Sequence, residues 1–134
     1  MKKILIVEDE TILLKVLKDR FKADGWDVST AEDGEEAVEL MEKNSFDLVL
    51  LDLMLPKKDG FQVLKEVKGH TALKSLPIIV LSNLGDDDDI KRALSLGASD
   101  YFVKTQHPIG EVIEKAKEFV QGGGKKRHSR TTLS

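Results

Sequence analysis

Acidic side chains of this sequence stand where two buried strands are expected to end. Glu8 and Asp9 follow the apolar run 4–7, and Asp52 follows a second apolar run that ends at Leu51. Carboxylates about 4 Å apart repel by roughly 4 kcal/mol at an effective dielectric constant near 20, so such a cluster requires protons or a cation. Mg²⁺ prefers oxygen ligands and commonly binds one or two carboxylates, several waters and a phosphate oxygen. The pattern therefore predicts a small magnesium site.

Polar residues that can bind a phosphoryl group follow two later apolar runs. Ser82 and Asn83 supply a hydroxyl and an amide that can hydrogen-bond phosphoryl oxygens. Lys104 supplies a cation that suits the same oxygens. Asp52 can then act as a nucleophile toward phosphorus and form an aspartyl phosphate. Mg²⁺ and Lys104 would neutralise the charge on the transferred group, so that the protein contributes position and electrostatics.

The elements that must bring these residues together are short strands alternating with amphipathic helices. Continuous apolar runs, typical of strands covered on both faces, occur at 4–7, 46–51 and 77–81, with weaker candidates at 26–30 and 99–103. Helical spacing of apolar residues between the runs, and glycines where helices should end, support this division. The alternation predicts an α/β fold, a flavodoxin-like five-stranded parallel sheet in the order 2-1-3-4-5 with helices on both faces. Ligands bind such sheets beyond the carboxyl ends of the strands, where the polar residues would converge.

The composition is that of one ordinary globular domain. The chain has 134 residues, of which 40% are hydrophobic and 34% charged, enough for a single core. A formal net charge of −3 gives no general reason to expect nucleic acid or a membrane as a partner of this domain. The absence of cysteine excludes disulfides and thiolate chemistry. The first apolar run is too short for a signal peptide or a membrane span, so we expect a cytoplasmic protein.

The periodic pattern ends near residue 121. Residues 122–134 begin with three consecutive glycines and are rich in lysine and arginine. Because consecutive glycines hold regular structure poorly, we expect a domain over residues 1–121 and a flexible basic tail, or the start of a linker, over residues 122–134.

Structural roles are an alternative for each of these residues. Asp9 or Thr11 would suit the N-cap of the first helix, and Asp59 before Gly60 would suit the cap of the third. Asp86–Asp89 is best explained as the acidic first turn of the fourth helix. The functional interpretation depends on the conjunction, since acids at two strand ends, a hydroxyl at the fourth and a lysine at the fifth share one edge of the sheet.

Five segments spread over residues 2–121 occur in an order that is highly specific. They are ILIVEDE, GWDVSTAEDGEEAV, FDLVLLDLMLPKKDGF, LPIIVLSNL and GASDYFVK. On these segments the chain resembles the receiver domain of two-component response regulators, in its chemotaxis-type single-domain form. The resemblance implies that Asp52 accepts a phosphoryl group from a phosphohistidine of a sensor histidine kinase or histidine phosphotransfer protein. It also implies that Mg²⁺ is bound by Glu8, Asp9, Asp52 and the backbone carbonyl of Met54.

The same resemblance assigns the switch. It implies that Lys104 pairs with the phosphoryl group, that Ser82 moves toward it and that Tyr101 then turns inward. Phosphorylation would shift an existing equilibrium and change the surface of the fourth helix, fifth strand and fifth helix, where an unidentified protein target binds. Such a domain catalyses only its own phosphorylation and dephosphorylation and is not otherwise an enzyme. We expect a monomer or a phosphorylation-dependent dimer that itself binds neither nucleic acid nor membrane.

Two positions depart from the family pattern. Thr105 follows Lys104 where proline is usual, and because a cis bond before a residue other than proline costs about 3 kcal/mol, we predict a trans peptide. Asn83 stands where a small residue such as alanine is usual. We hypothesise that Asn83, with the apolar Met54 and Leu84 nearby, hinders the attacking water and prolongs the phosphorylated state.

Three other functions have residue requirements that can be compared with this sequence. A haloacid dehalogenase-type phosphatase also has a nucleophilic aspartate at a strand end, but it expects a second aspartate two positions later, where this chain has Met54. A phosphorylation-independent, receiver-like binding module usually lacks pocket residues, and none is missing here. Flavin or dinucleotide binding is disfavoured because no glycine-rich turn follows the first strand.

Overall fold

The structure is a computed structural model that describes residues 1–121, so the predicted tail at residues 122–134 lies outside the described residues. Strands and helices alternate along the described chain. The strands are β1 (Lys3–Val7), β2 (Asp27–Ala31), β3 (Leu48–Leu51), β4 (Ile78–Ser82) and β5 (Asp100–Val103). The α-helices are α1 (Thr11–Ala23), α2 (Gly34–Lys43), α3 (Gly60–Lys68), α4 (Asp87–Ser95) and α5 (Ile109–Gln121). A short 3-10 helix, Thr71–Leu73, lies between α3 and β4.

The strands form one parallel sheet in the order β2-β1-β3-β4-β5. Val7 is paired with Leu51 across β1 and β3, and Ser82 is paired with Val103 across β4 and β5. The strands therefore end at a common edge, which we call the carboxyl edge. The predicted fold class and strand order are confirmed.

Two apolar clusters cover the two faces of the sheet. Successive strand side chains point to opposite faces, so Leu5, Val49 and Val80 contact the layer of α2, α3 and α4. Ile6, Leu50 and Ile79 contact the layer of α1 and α5 instead. Because both faces are covered, the central strands are apolar at consecutive positions.

Most helix boundaries have the expected chemistry. Asp59 caps α3, where its Oδ1 accepts a hydrogen bond of 2.9 Å from the Gln62 amide, as predicted. The acidic first turn of α4 is also confirmed. The N-cap of α1 is Glu10, without a side-chain cap bond, so neither Asp9 nor Thr11 has that role.

Four strands begin later than their apolar runs, β3 by two residues and β2, β4 and β5 by one. β2 begins at Asp27 because Trp26 lies in the turn after α1, where its amide donates to the Phe21 carbonyl at 3.0 Å and its ring packs edge-to-face on Phe21 with centroids 5.2 Å apart. β3 begins at Leu48, although Phe46 already packs against the core. Apolar residues indicate which segments are buried, whereas a strand also requires main-chain hydrogen bonds to a neighbouring strand.

None of the helices within residues 1–121 combines the length and the apolar character that crossing a membrane requires.

Candidate functional site

The carboxyl edge holds one ammonium group that contacts three carboxylates. Nζ of Lys104 lies 3.0 Å from a carboxylate oxygen of each of three residues, Glu8, Glu10 and Asp52. The side chains of Lys104, Glu8 and Asp52 are 9%, 3% and 4% exposed, whereas that of Glu10 is 53% exposed. Buried charges are unfavourable unless they are paired. The ammonium of Lys104 and the two buried carboxylates therefore compensate the cost of burying one another's charges.

The sheet itself positions these charged residues. The amide of Glu8 donates to the Ala31 carbonyl at 3.0 Å, and the amide of Asp52 donates to the Val7 carbonyl at 3.0 Å. The amide of Lys104 likewise donates to the Ser82 carbonyl at 2.8 Å. The main-chain pairing thus continues by one residue beyond β1, β3 and β5. Each charged residue is held by the same hydrogen bonds that hold the apolar strand before it.

Short-range hydrogen bonds orient the two buried carboxylates. Oδ1 of Asp52 accepts a bond of 3.1 Å from the Met54 amide, while its Oδ2 accepts from Lys104. Oε2 of Glu8 accepts a bond of 3.1 Å from the Glu10 amide. Amides two residues later therefore turn both carboxylates toward the same ammonium.

Burial and charge change the protonation of the site. Burial raises the pKa of Glu8 to about 7, with a further rise from the charge of Asp52 and an opposing effect of the Lys104 hydrogen bond. Burial alone would lower the pKa of Lys104, but its hydrogen bonds to Glu8, Asp52 and Glu10 outweigh that effect and raise the pKa above its ordinary value. Lys104 is therefore a permanent cation. Three carboxylates against one ammonium leave an excess of negative charge that a further cation can neutralise.

The donor atoms at this edge suit Mg²⁺. Glu8, Glu10 and Asp52 each offer a carboxylate oxygen, and these oxygens lie within 4.8 Å of one another. An open cluster of hard oxygen donors is the ligand set that Mg²⁺ prefers. The structure thus brings together Glu8 and Asp52 of the predicted metal residues. Asp9 is exposed and is not a member of this cluster.

Glu10 is the residue that sequence reasoning missed. It follows the acidic pair in the segment VEDE, and its side chain reaches Lys104 from the N-cap position of α1. The prediction considered residues at strand ends, whereas Glu10 belongs to the turn that starts the next helix. The available signal was a third acid in the same short segment.

The loop after β4 connects the predicted switch residues. Ser82 is fully buried, and its hydroxyl oxygen accepts a hydrogen bond of 3.4 Å from the Leu84 amide. The hydroxyl of Tyr101 donates to the Leu84 carbonyl. Burial raises the pKa of Tyr101 to about 12, with contributions from the charges of Asp89 and Asp52, so the phenol remains a donor. Asn83, which follows Ser82 directly, is exposed.

The peptide after Lys104 has the predicted geometry. No peptide bond within residues 1–121 is cis, so the bond between Lys104 and Thr105 is trans and that prediction is confirmed. The turn after β5 is closed by the Gln106 amide, which donates to the Val103 carbonyl at 2.9 Å.

Comparison with known proteins identifies relatives over most of the chain. Residues 4–116 match the family model described as the response regulator receiver domain. The chain is 44% identical over 106 residues to a probable transcriptional regulator ycf27 of Guillardia theta. The aligned residues cover 79% of this chain and 41% of that protein. The chain therefore spans about two fifths of the length of this relative.

Solved structures have the same fold. The phosphorylated cyanobacterial phytochrome response regulator RcpA is 31% identical, with a TM-score of 0.82 over 92% of this chain and 96% of that chain. The receiver domain of the sensor histidine kinase PA1611 from Pseudomonas aeruginosa PAO1 is 27% identical, with a TM-score of 0.80 over 90% of this chain and 98% of that chain. In that structure a magnesium ion is coordinated in the active-site cleft.

Proposed function

This chain belongs to the response regulator receiver domain family, and from that premise we propose that it is a magnesium-dependent phosphorylation switch with Asp52 as the phosphoryl acceptor. The observation that carries the proposal is the contact of Lys104 with the buried carboxylates of Glu8 and Asp52 at the carboxyl edge. A receiver domain is not an enzyme in the usual sense. In our proposal it catalyses only its own phosphorylation and dephosphorylation.

The transfer begins with a carboxylate oxygen of Asp52. This oxygen forms a bond to phosphorus while the bond from phosphorus to the histidine nitrogen of the donor breaks, and that nitrogen keeps the electron pair. A nucleophilic carboxylate of this kind is an established route to aspartyl phosphate. Asp52 suits the role because the Met54 amide and Lys104 fix the direction of its carboxylate. The donor in our proposal is a sensor histidine kinase or a histidine phosphotransfer protein.

The remaining groups would neutralise charge on the phosphoryl oxygens. Lys104 is already 3.0 Å from Asp52 and needs little movement to pair with a phosphoryl group attached there. Mg²⁺, when bound by Glu8, Asp9, Asp52 and the Met54 carbonyl, supplies a second positive charge for these oxygens. Glu10 adds a negative group that holds Lys104 beside the cluster before transfer.

The output of the switch depends on Ser82 and Tyr101. In our proposal the Ser82 hydroxyl moves to hydrogen-bond the phosphoryl group, and the Tyr101 ring then turns inward. Both are tied to Leu84, so a displacement of Ser82 also affects the partner of the Tyr101 hydroxyl. The result is a change in the surface of α4, β5 and α5, where an unidentified protein target would bind. The protein would act in the cytoplasm, as a monomer or a phosphorylation-dependent dimer.

A small phosphodonor tests this function. The chain is incubated with acetyl phosphate and Mg²⁺, and the product is analysed by intact mass spectrometry after acid and after base. We expect one phosphoryl group per chain that survives acid and is lost in base. Asp52→Asn should abolish it, whereas Asp19→Asn, at an exposed position of α1, should not. An adduct that persists in Asp52→Asn contradicts the proposal. Release of phosphate so fast that no adduct accumulates favours the haloacid dehalogenase-type phosphatase.

The lifetime of the adduct tests the role of Asn83. If its amide hinders the attacking water, Asn83→Ala should release phosphate faster than the unaltered chain after the donor is removed. An unchanged rate of dephosphorylation would refute this part of the proposal.

A further inference from the structure

The loop between β3 and α3, residues 53–59, packs tightly on the start of α2. We call this segment the acceptor loop. The Gly34 amide donates to the Pro56 carbonyl at 3.3 Å, and the Lys58 amide donates to the same carbonyl at 2.7 Å. A Cβ atom added to Gly34 would lie 1.8 Å from the Lys58 carbonyl oxygen and 2.8 Å from the Lys58 Cβ. Only glycine lets the two main chains approach so closely.

The backbone of Gly34 does not itself require glycine. Positive φ among the glycines that the structure describes occurs at Gly25 and Gly97 only. The need for glycine at position 34 therefore comes from the contact with the acceptor loop. This distinguishes Gly34 from glycines that only end a helix.

Lys57 gives the acceptor loop a second link to α2. Its φ of 69° is the only positive value for a residue other than glycine within residues 1–121. With the bond from the Lys58 amide to the Pro56 carbonyl, this φ makes a γ-turn, which is strained. Nζ of Lys57 lies 3.8 Å from Oδ2 of Asp33, while Oδ1 of Asp33 caps α2 through the Glu36 amide. The strained turn thus faces the N-cap of α2.

The same loop is fastened beside the phosphoryl acceptor. The Gly60 amide donates to the Leu53 carbonyl at 2.9 Å, and the Met54 amide donates to Asp52. Met54 therefore lies between a fixed point at Leu53 and a fixed point at Pro56. Because only Leu55 separates them, we expect a displacement of Pro56 to shift Met54 as well.

We propose that Gly34 is a positioning residue for the magnesium site. It acts through Pro56 and Lys58 to set where the Met54 carbonyl stands relative to Asp52. This inference rests on the proposed function, in which that carbonyl is a ligand of Mg²⁺. A purely structural glycine would affect stability alone, whereas a positioning glycine affects the affinity of the folded protein for Mg²⁺.

The decisive comparison uses two glycines in the first turns of helices. A Cβ at Gly34 collides with Lys58, whereas a Cβ at Gly110 in α5 meets nothing within 4 Å. Mg²⁺ binding to the full chain is measured by isothermal titration calorimetry for the unaltered chain, Gly34→Ala and Gly110→Ala. We expect Gly34→Ala to weaken binding about tenfold and Gly110→Ala to leave it unchanged. Folded Gly34→Ala with unaltered affinity would overturn the inference.

Amide NMR of the unaltered chain gives a test that needs no variant. During a Mg²⁺ titration, the Gly34 and Lys58 amide signals should shift with the same dissociation constant as the Met54 signal, and the Gly110 signal should not shift. A Gly34 amide that stays in place while the Met54 signal moves would overturn the inference even if Gly34→Ala fails to fold. If the unaltered chain binds no Mg²⁺ in either measurement, the proposed function itself fails.

Discussion

The interior and the carboxyl ends of the strands are buried to the same degree but are chemically opposite. Ile6 and Ile79 are 0% exposed, and Glu8 and Asp52, at the ends of β1 and β3, are only 2% and 3% exposed. Burying an apolar side chain contributes about 1.5–3 kcal/mol to stability. Burying a carboxylate is unfavourable unless partners compensate it. The burial of apolar side chains in the interior therefore offsets the free-energy cost of the buried carboxylates at the carboxyl edge. The residue types at that edge are suited to chemistry rather than to folding.

The largest effect is expected in the interior. Ile79→Ala should lower the free energy of unfolding by about 2–5 kcal/mol, because it leaves a cavity in the cluster between the sheet and α5. Urea unfolding measures the loss. Ile12→Ala is the control, since Ile12 is 82% exposed and its truncation should change stability by less than about 0.5 kcal/mol. Folded Ile79→Ala should still accept a phosphoryl group from acetyl phosphate. Failure to do so would contradict the separation between an interior that stabilises the fold and an edge that carries the chemistry.

The next effect is expected at Lys104. Lys104→Met removes the ammonium that contacts Glu8 and Asp52, and the metal-free protein should lose about 2 kcal/mol of stability. Glu8 can take up a proton, which limits the loss. Added Mg²⁺ should then stabilise Lys104→Met more than it stabilises the unaltered chain, as thermal unfolding would detect. The exposed Lys15 provides the control, Lys15→Met. An equal response to Mg²⁺ in all three proteins would mean that Lys104 does not compensate the carboxylates.

A comparable effect on stability is expected when the pH changes the protonation of Glu8. Its pKa is raised from 4.5 to about 7 in the folded protein, so between these values the folded state binds a proton that the unfolded state has released. Without Mg²⁺, the free energy of unfolding should therefore fall as pH rises from about 4.5 to 7, by about 1–3 kcal/mol. Glu8→Gln should lack this component. Parallel pH profiles for the two proteins, from urea unfolding at constant ionic strength, would contradict the assignment.

The smallest effects on stability are expected at the exposed neighbours Asp9 and Glu10. Asp9→Asn and Glu10→Gln should each change the free energy of unfolding by less than about 0.5 kcal/mol. Their effects on Mg²⁺ affinity should differ, because Asp9 is a proposed ligand and Glu10 contacts Lys104. Calorimetry should find binding about tenfold weaker in Asp9→Asn and nearly unchanged in Glu10→Gln. The reverse order would make Glu10 the ligand, in agreement with the cluster of Glu8, Glu10 and Asp52.

The fold followed from the sequence because its strongest signals are local. Runs such as 48–51 and 78–81 are apolar at every position, which is typical of short strands covered on both faces. The strand boundaries were less certain, since Trp26 and Phe46 are apolar and packed without being paired. Burial can be inferred from residue type, whereas main-chain pairing depends on the neighbouring strand.

The site was predictable where the strands alone determine position. Glu8, Asp52 and Lys104 end or follow parallel strands, so their meeting at one edge follows from topology. The contact of Glu10 with Lys104 depends on the turn into α1. The packing of Gly34 on Lys58 joins distant parts of the chain, and a glycine in a sequence does not reveal whether a turn or a close contact requires it.

The most direct test of the central claim is the position of a bound metal ion. Crystals grown with Mn²⁺, which takes the same oxygen ligands and gives an anomalous signal, would locate it. We expect one ion at the carboxyl edge, about 2.1 Å from oxygens of Asp52, of Glu8 or Asp9, and of the Met54 carbonyl. An ion bound away from Asp52, or a carboxyl edge that stays without metal at saturating Mn²⁺, would contradict the account.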